Sequence, residues 1–336
     1  PQSLSRADED GLEVKALYEI LGHKLVTDTK NTNTTCDITR LPVDPMVHVA
    51  HGWDICRPVN AGGPIEETNQ LILDELRDGV NTIWFEQMPT INLAANLPVI
   101  MKDVLLTAVG INLDSGNNVL AHLADFSNFA KTQNKSLSDL RFSTNIDPFS
   151  PDAALSLLDD GLEYLAQAND EDAPSGLFRA NGWAWHNRGM TAVQELAYVL
   201  ASLAEIMRSG MERGLDLSDL ASRLSASLAL PADLFDGIAK CRALRRGWGG
   251  IVSALGLDPD THRLFLQGAV SVRMFSLVDH EVNILRTTTA LLGGAIGGAD
   301  QLSAHSHDCL GGSSAAGRRL ARMQQHLLIE ESGLAR

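Results

Sequence analysis

Short apolar runs alternate with longer segments of helical periodicity from about Trp53 to the end of this 336-residue chain. Each run is short enough to be one buried strand. Strands that alternate with helices form parallel β–α–β units, and eight such units predict closure into a barrel rather than an open sheet. The expected fold is therefore α/β, a (β/α)8 TIM barrel. The predicted strands are Ile55–Val59, Thr82–Gln87, Thr107–Leu113, Arg141–Ile146, Gly176–Trp183, Ser222–Leu228, Leu264–Val270 and Gln301–Ser306.

Local signals mark the ends of several helices between these strands. Gly79 follows the periodic segment Ile65–Asp78 and predicts its end, because glycine readily adopts the left-handed conformation that terminates a helix. Thr191 and Gln194 have the spacing of a capping box, which predicts that a helix begins there. Pro231–Gly247 carries apolar residues at helical spacing and predicts another helix.

The first fifty residues differ from the rest in being polar and without clear periodicity. We expect an extended N-terminal arm over residues 1–50 and the barrel over residues 51–336. A barrel of this type takes about 250 residues as a single domain, so the length of the chain does not require a second one.

Charge and composition exclude several classes of function. Asp and Glu number 42 against 27 Lys and Arg, so the formal net charge is −15. An acidic chain lacks the positive field that nucleic acids and anionic membrane surfaces require. The longest uncharged stretches are shorter than the ~20 residues of a membrane span, and the first ten residues do not resemble a signal peptide. Four cysteines without CxxC spacing suit a reducing compartment, so we expect a cytoplasmic protein.

In a barrel of this kind the active site lies at the C-terminal ends of the strands, where the loops that follow the strands converge. Polar and aromatic residues at those ends are the candidates for a pocket. The candidate pocket residues are Glu86, Asp147, Trp183, His186, Gln267, His305 and His307, and Asn112, Asp114 and Asp308 lie at the same level.

His305 and His307 are separated by one residue and form the most concentrated of these clusters. If they continue the last strand, both imidazoles point to one face and can hold a metal ion, with Asp147 or Glu86 as a third ligand. Such a site activates a water molecule for hydrolysis. A His-x-His pattern is also common without a metal, and we favour two hydrogen-bonded polar side chains in the barrel mouth.

Other candidates also have structural alternatives. His186 can act as a general acid or base near neutral pH, or it can cap the helix that follows, which is the interpretation we favour. Trp183 can line a pocket or fill the barrel interior. Arg242, Arg245 and Arg246 can bind a phosphate, but a solvent-exposed helix face is the expected role of this cluster.

Several independent segments, spread from about residue 50 to the end of the chain, have the same order and spacing as the motifs of one known protein family. The segments are Trp53–Arg57, Gly189–Ala197, Ala239–Trp248, Asn283–Thr288, Gly297–Gly298, Arg319–Arg322 and Glu330–Ser332. Together they resemble the adenosylcobalamin-dependent methylmalonyl-CoA mutase family, whose first barrel strand is similar to Trp53–Arg57. The resemblance implies the same barrel fold.

The resemblance fails at the positions that carry the chemistry of that family. The tyrosine that follows the first-strand tryptophan in catalytic members falls on Pro58, and their catalytic histidine falls on Ala184. Trp183 replaces the tyrosine before that histidine, and a family arginine and glutamine fall on Phe265 and Asp300. Neither Pro58 nor Ala184 can donate a proton, so the resemblance implies no catalytic residue and no mutase activity in this chain alone.

The chain is more similar to the non-catalytic small subunit of the family. Trp185–Gly189 is similar to the loop after the fifth strand of that subunit, and Glu330–Arg336 is similar to its tail. The coenzyme A arm of catalytic members corresponds to Asp44–His48 here, without its tyrosines, and no Asp-x-His-x-x-Gly motif of a cobalamin-binding domain occurs. The resemblance implies a partner, either a catalytic large subunit or another barrel. Adenosylcobalamin would be held by that partner, with no cofactor in this chain.

The outer helices at Thr191–Ser209 and Ala315–Glu331 carry the closest matches and are the expected contact surface with the partner. Two alternatives from other classes stay open. The barrel can be an enzyme with its own polar site at the mouth, with or without a metal. It can also bind acyl-CoA or another small acyl ligand without reaction.

Overall fold

Eight parallel strands close into a barrel in the computed structural model, which describes residues 6–7, 9–11, 13–14, 52–87, 92–169 and 172–334. The strands are β1 (Asp54–Asn60), β2 (Thr82–Gln87), β3 (Gly110–Leu113), β4 (Arg141–Ile146), β5 (Gly176–Asn181), β6 (Leu224–Leu230), β7 (Phe265–Val270) and β8 (Gln301–Ser303). Each strand pairs with the next, and β8 pairs with both β7 and β1. The predicted (β/α)8 barrel is confirmed.

Helices between the strands form the outer wall of the barrel. They are α1 (Ile65–Arg77), α2 (Leu93–Ile100), α3 (Val119–Thr132), α4 (Leu157–Gln167), α5 (Gly182–Asn187), α6 (Ala192–Glu212), α7 (Leu217–Ser222), α8 (Leu234–Ala254), α9 (Val282–Gly297) and α10 (Ala315–Glu330). The apolar core lies between this wall and the strands. No helix in the described ranges is both long and apolar enough to cross a membrane.

Local sequence signals placed several helix boundaries correctly. Gly79, just beyond α1, has a φ angle of +99°, the left-handed conformation that glycine tolerates. Thr191 and Gln194 form the predicted capping box at the start of α6, each side chain bonding to the backbone of the other residue. The helix predicted from Pro231 begins at Leu234, because the Asp233 carboxylate accepts hydrogen bonds from the first-turn amides.

Six of the eight strands differ from the prediction at one or both ends. The strand expected over Ser222–Leu228 covers Leu224–Leu230, because Ser222 ends α7. Three other strands are shorter than predicted by two or three residues. The strand expected over Gly176–Trp183 ends at Asn181, because the Asn181 side chain accepts a hydrogen bond from the amide of Ala184 and starts α5. The strand expected from Thr107 begins at Gly110, after a loop without regular structure. The strand expected over Gln301–Ser306 ends at Ser303. Apolar character continues past the paired residues at these points, so periodicity alone overestimates their length.

The exposed arginine cluster predicted on α8 is only partly exposed. Arg246 lies at the surface, whereas Arg242 is half-buried and Arg245 is buried. Arg245 donates hydrogen bonds to the carboxylate of Asp300 (2.8 Å) and to the carbonyl oxygen of Leu264 (3.1 Å). The expectation of a solvated face is therefore wrong for Arg245, whose charge is neutralised inside the wall.

Most of the expected N-terminal arm over residues 1–50, with the segment Asp44–His48, lies outside the described residues. In the part that is described, Arg6–Ala7 pairs antiparallel with Glu13–Val14. Between them, the Glu9 carboxylate accepts a hydrogen bond from the backbone amide of Ala192 (3.0 Å) at the start of α6. A carboxylate at this end of a helix is favourable because it faces the positive end of the helix dipole.

Candidate functional site

Stacked aromatic rings occupy the C-terminal mouth of the barrel. Trp84 of β2 and Trp183 of α5 meet edge to face, with ring centroids 5.5 Å apart. The imidazole of His305, which follows β8, lies parallel to the Trp183 ring at 5.8 Å between centroids. Trp183 also donates its indole hydrogen to the carbonyl oxygen of Val270 (3.1 Å). Trp183 therefore lines the mouth and is held there on two sides.

Glu86 and His305 form a polar pair beside these rings. His305 Nε2 lies 3.1 Å from Glu86 Oε1, and the two residues are 219 positions apart in the sequence. The side chains keep 15% and 28% of their surface exposed, so a small molecule at the mouth can reach them. Two of the predicted pocket residues are thus brought together by the closure of the barrel between β8 and β1.

Asp114 follows β3 at the same level and titrates unusually. Burial raises its pKa to about 7, and the carboxylates of Glu86 and Asp147 act in the same direction, whereas the Arg179 guanidinium opposes them. A carboxyl group with this pKa exists in both protonation states near neutral pH. It is therefore suited to accept or donate a proton.

Asp147 lies between the end of β4 and α6. Both of its carboxylate oxygens are 2.8 Å from the hydroxyl oxygen of Tyr198, which donates to them. Its carboxylate also accepts from the backbone amide of Asn181 (3.2 Å). Burial raises the pKa of Asp147 to about 6, although these hydrogen bonds favour the charged form. Because its hydrogen-bonding capacity is used by protein groups, Asp147 connects β4, β5 and α6.

Arg179 crosses the barrel interior beneath the mouth. Its Nη1 donates to Gln267 Oε1 (2.7 Å) on β7, and its Nε donates to Ser225 Oγ (3.2 Å) on β6. Burial lowers the pKa of Arg179 to about 10. Gln267, a predicted pocket residue, is therefore part of the filled interior rather than the accessible mouth. Arg179 was not predicted as a site residue, although it is the one charged residue in the predicted fifth strand.

His186 points away from the barrel axis. Its Nε2 lies 3.1 Å from Ser271 Oγ, and its Nδ1 lies 3.2 Å from Glu195 Oε2. The same carboxylate oxygen accepts a hydrogen bond from Lys240 Nζ at 2.5 Å. We had expected His186 to cap the helix that follows. This prediction is wrong, because Thr191 caps α6. His186 belongs to a buried cluster between β6, α6 and α8.

The carboxylate of this cluster is charged despite its burial. Burial by itself would raise the pKa of Glu195, but His186, Lys240 and the backbone amide of Ala229 together hold it below its usual value. Ala229 N donates to Glu195 Oε1 at 2.7 Å, and Ala229 O accepts from Lys240 Nζ at 2.7 Å. Together these hydrogen bonds connect α6 and α8 to the end of β6.

His307 and His305 contact different side chains. Its ring packs edge to face against the ring of His280, at 5.3 Å between centroids, rather than against the aromatic stack. Because β8 ends at Ser303, the alternation that would place both histidines on one face does not apply. In the described ranges no three His, Cys, Asp or Glu side chains lie close enough together to hold a metal ion. The His305–His307 metal arrangement is therefore not formed there.

Pro58 and Ala184 are the two positions onto which the resemblance places catalytic residues of the mutases. Pro58 is buried in β1, where it pairs in register with Trp84 of β2. Ala184 is half-buried in α5, next to Trp183 in the sequence. Neither side chain has an ionisable or hydrogen-bonding group.

Comparison with known proteins decides the family. The family model described as methylmalonyl-CoA mutase matches residues 89–336 of this chain. This chain belongs to the methylmalonyl-CoA mutase family. The resemblance to this family is therefore confirmed, and its segments from Gly189–Ala197 to Glu330–Ser332 lie within the matched residues.

Individual relatives agree with this assignment. The methylmalonyl-CoA mutase small subunit of Streptomyces virginiae is 31% identical over an alignment that covers 100% of this chain and 54% of that protein. The probable small subunit of Mycobacterium bovis is 31% identical over 87% of this chain and 49% of its own length. The mitochondrial methylmalonyl-CoA mutase of Homo sapiens is 29% identical over 55% of this chain and 25% of its own length. The chain thus spans about half the length of the curated small subunits it matches.

Proposed function

We propose that this barrel is the non-catalytic small subunit of a methylmalonyl-CoA mutase and that it pairs with and stabilises a catalytic subunit. The observation that carries the proposal is the filling of the barrel by its own side chains. Arg179 and Gln267 are hydrogen-bonded across the interior, and the rings of Trp84, Trp183 and His305 pack above them at the mouth. The three rings thus cover part of the mouth, which is where a barrel enzyme binds its substrate.

The residues of this chain do not fit the cofactor chemistry of the family. Pro58 and Ala184 stand where catalytic members carry a tyrosine and a histidine, and neither can transfer a proton. We therefore assign no step of the mutase reaction to this chain. In the proposed complex adenosylcobalamin and the acyl-CoA substrate are bound by the partner chain.

The outer face of α10 supports a role in association. Leu320, Met323 and Leu327 follow one another at helical spacing and are 41%, 40% and 44% exposed. On α9, Leu285 is exposed as well. The outer face of a barrel helix is ordinarily polar, so an apolar stripe of this kind is typical of a contact surface. Relatives named small subunits supply the class of partner, a larger mutase subunit.

Co-expression with a catalytic large subunit tests this proposal. We expect one stable complex by size-exclusion chromatography with light scattering, with an interface on the order of 1,600 Å² or more. Leu320→Asp combined with Leu327→Asp should release the barrel as a separate folded species, whereas Phe235→Asp, a control at an exposed position on α8, should not. A chain that stays separate from every large subunit offered would contradict the proposal.

A second candidate function is acid–base catalysis at the mouth. The observation that favours it is the grouping of Asp114, with a pKa of about 7, and the accessible Glu86–His305 pair beside two tryptophan rings. A carboxylate that takes up a proton near neutral pH can remove the proton next to a thioester carbonyl.

The second candidate predicts a reaction that the first does not. If it is correct, the purified chain alone should exchange the α-hydrogen of a small acyl-CoA for deuterium in D₂O, and Asp114→Asn should abolish the exchange. Saturable acyl-CoA binding without exchange would instead indicate a ligand-binding barrel. Absence of both, together with complex formation, agrees with the first proposal alone.

A further inference from the structure

A cavity of about 450 Å³ lies far from the mouth, at the opposite end of the barrel. It is bounded by the loop between α2 and β3 and by the end of α3. Loops that lead from a helix into the next strand lie at the N-terminal face of a barrel, whereas the candidate site lies at the C-terminal face. The volume falls within the range of pockets that bind small ligands, about 300–1,000 Å³. The cavity is thus independent of the proposed subunit role.

Apolar side chains form slightly more than half of the wall of this cavity. Met101, Leu106 and Phe129 line it, with Pro98 and the exposed side chain of Leu105. An apolar concave surface of this size favours an aliphatic chain, because contact removes hydrocarbon from water on both sides.

Two lysines give the cavity a positive rim. Lys102 and Lys135 line it together with one acidic residue, Asp103, and neither lysine forms an ion pair within the described part of the chain. Asp139, which lies near Lys135, is already engaged with the amide and hydroxyl of Ser136. The Asp139 carboxylate, which does not line the cavity, acts electrostatically on Lys135. The lining itself carries two ammonium groups against the one carboxylate of Asp103, and this excess of one positive charge is complementary to a single negative charge.

The loop that forms the cavity is held in place before any ligand arrives. The Asn69 side chain on α1 donates hydrogen bonds to the carbonyl oxygens of Ile100 (2.8 Å) and Lys102 (2.9 Å). A wall that is fixed in advance loses little conformational entropy when a ligand binds.

We propose that this cavity binds a medium-length aliphatic chain that ends in a single carboxylate. The chain lies against Met101, Leu106 and Phe129, and the carboxylate lies between the ammonium groups of Lys102 and Lys135. A lysine ammonium on a flexible stem can follow a carboxylate at either side of the rim.

Isothermal titration of the full chain with sodium decanoate tests this assignment. We expect saturable binding at one site and at least tenfold weaker binding of 1-decanol, which has the same chain without the charge. Lys102→Met combined with Lys135→Met should weaken decanoate binding at least tenfold. Lys131→Met is the matched control, because Lys131 lies four residues before Lys135, near the end of α3, but pairs with Asp172 outside the cavity (2.7 Å).

A second variant tests the apolar wall separately from the charge. Leu105 is 68% exposed, so Leu105→Ser should leave the fold intact and weaken binding of decanoate and decanol alike. Circular dichroism and the melting temperature confirm folding of each variant. Absence of saturable binding, equal binding of decanol, or full affinity in the double lysine variant would each overturn the assignment.

Discussion

Two histidine–glutamate pairs in this barrel have nearly the same separation and opposite surroundings. His186 Nδ1 lies 3.2 Å from Glu195, and His305 Nε2 lies 3.1 Å from Glu86. The first pair is buried and shares its carboxylate with Lys240, whereas the second lies at the mouth and keeps part of its surface exposed. The separation of the two groups therefore does not distinguish a structural pair from a candidate site. Burial and the third partner make that distinction.

The two regions also respond differently to protons. At the buried pair, Lys240 and His186 keep the pKa of Glu195 low, so its charge is part of the folded structure. At the mouth, burial raises the pKa of Asp114 to about 7, although the Arg179 guanidinium acts in the opposite direction. The buried cluster is thus stabilised by charges that compensate one another, and the mouth retains charge that is incompletely compensated.

The largest expected effect is the removal of the buried cation. Lys240→Met leaves the Glu195 carboxylate buried without its ammonium partner and should lower the free energy of unfolding by about 3–5 kcal/mol. Urea denaturation at pH 7, followed by circular dichroism, measures it. The double variant Lys240→Met with Glu195→Gln should recover part of the loss. A loss below about 1 kcal/mol, similar to that of an exposed pair, would remove the distinction between the two regions.

The aromatic stack should contribute less than the buried cluster. Trp183→Ala removes two ring contacts and the hydrogen bond to Val270, and because the side chain is half-buried we expect a loss of about 2 kcal/mol. The same urea titration measures it, with Phe235→Ala, at a position 77% exposed, as the matched control. Equal midpoints for the two variants would show that the aromatic stack does not stabilise the fold.

The contribution of Asp114, at the mouth, to the free energy of unfolding should decrease as the pH rises. Asp114 has a folded-state pKa of about 7 against an ordinary value of 3.8, so between these two pH values the folded chain holds a proton that the unfolded chain has released. Its contribution to stability therefore decreases from about pH 4 to pH 7. Relative to Asp114→Asn, the wild type should lose about 1–3 kcal/mol between pH 5 and pH 8.

Melting curves at both pH values measure this difference. Asp139 is the control, because hydrogen bonds from Ser136 lower the pKa of that exposed carboxyl, so Asp139→Asn should show no such trend between pH 5 and pH 8. A wild type and an Asp114→Asn variant with parallel pH profiles would indicate that Asp114 titrates as an ordinary carboxyl.

The smallest effect is expected at the exposed pair. Glu86→Gln should change the free energy of unfolding by less than about 1 kcal/mol, because ion pairs in contact with solvent contribute little. Chemical denaturation beside Lys240→Met gives the direct comparison. A loss above about 2 kcal/mol would instead assign the mouth pair to the structural framework.

Much of the fold follows from local patterns in the sequence. The eight apolar runs, the glycine after α1 and the capping box at Thr191 all act through residues that are neighbours along the chain. For the same reason the predictions are wrong where local character continues past the pairing, as at Trp183, which the sequence assigns to a strand and the structure to α5.

The site was predicted less completely. Glu86 and His305 were correctly expected at one end of the barrel, because the C-terminal ends of parallel strands meet there. The partners of the candidates were not predicted: Tyr198 for Asp147, Ser271 for His186, and Arg179 for Gln267. Each partner lies tens of residues away, and no periodicity along the chain connects two such positions.

Local periodicity and motifs in register were sufficient to predict the barrel, several helix boundaries and the family. The closed barrel was needed to show which of two histidines is buried against Glu195 and Lys240 and which faces the mouth beside Glu86. The physical reason is that burial and charge compensation depend on the side chains that the closed barrel brings together. Those side chains come from strands and helices far apart in the sequence.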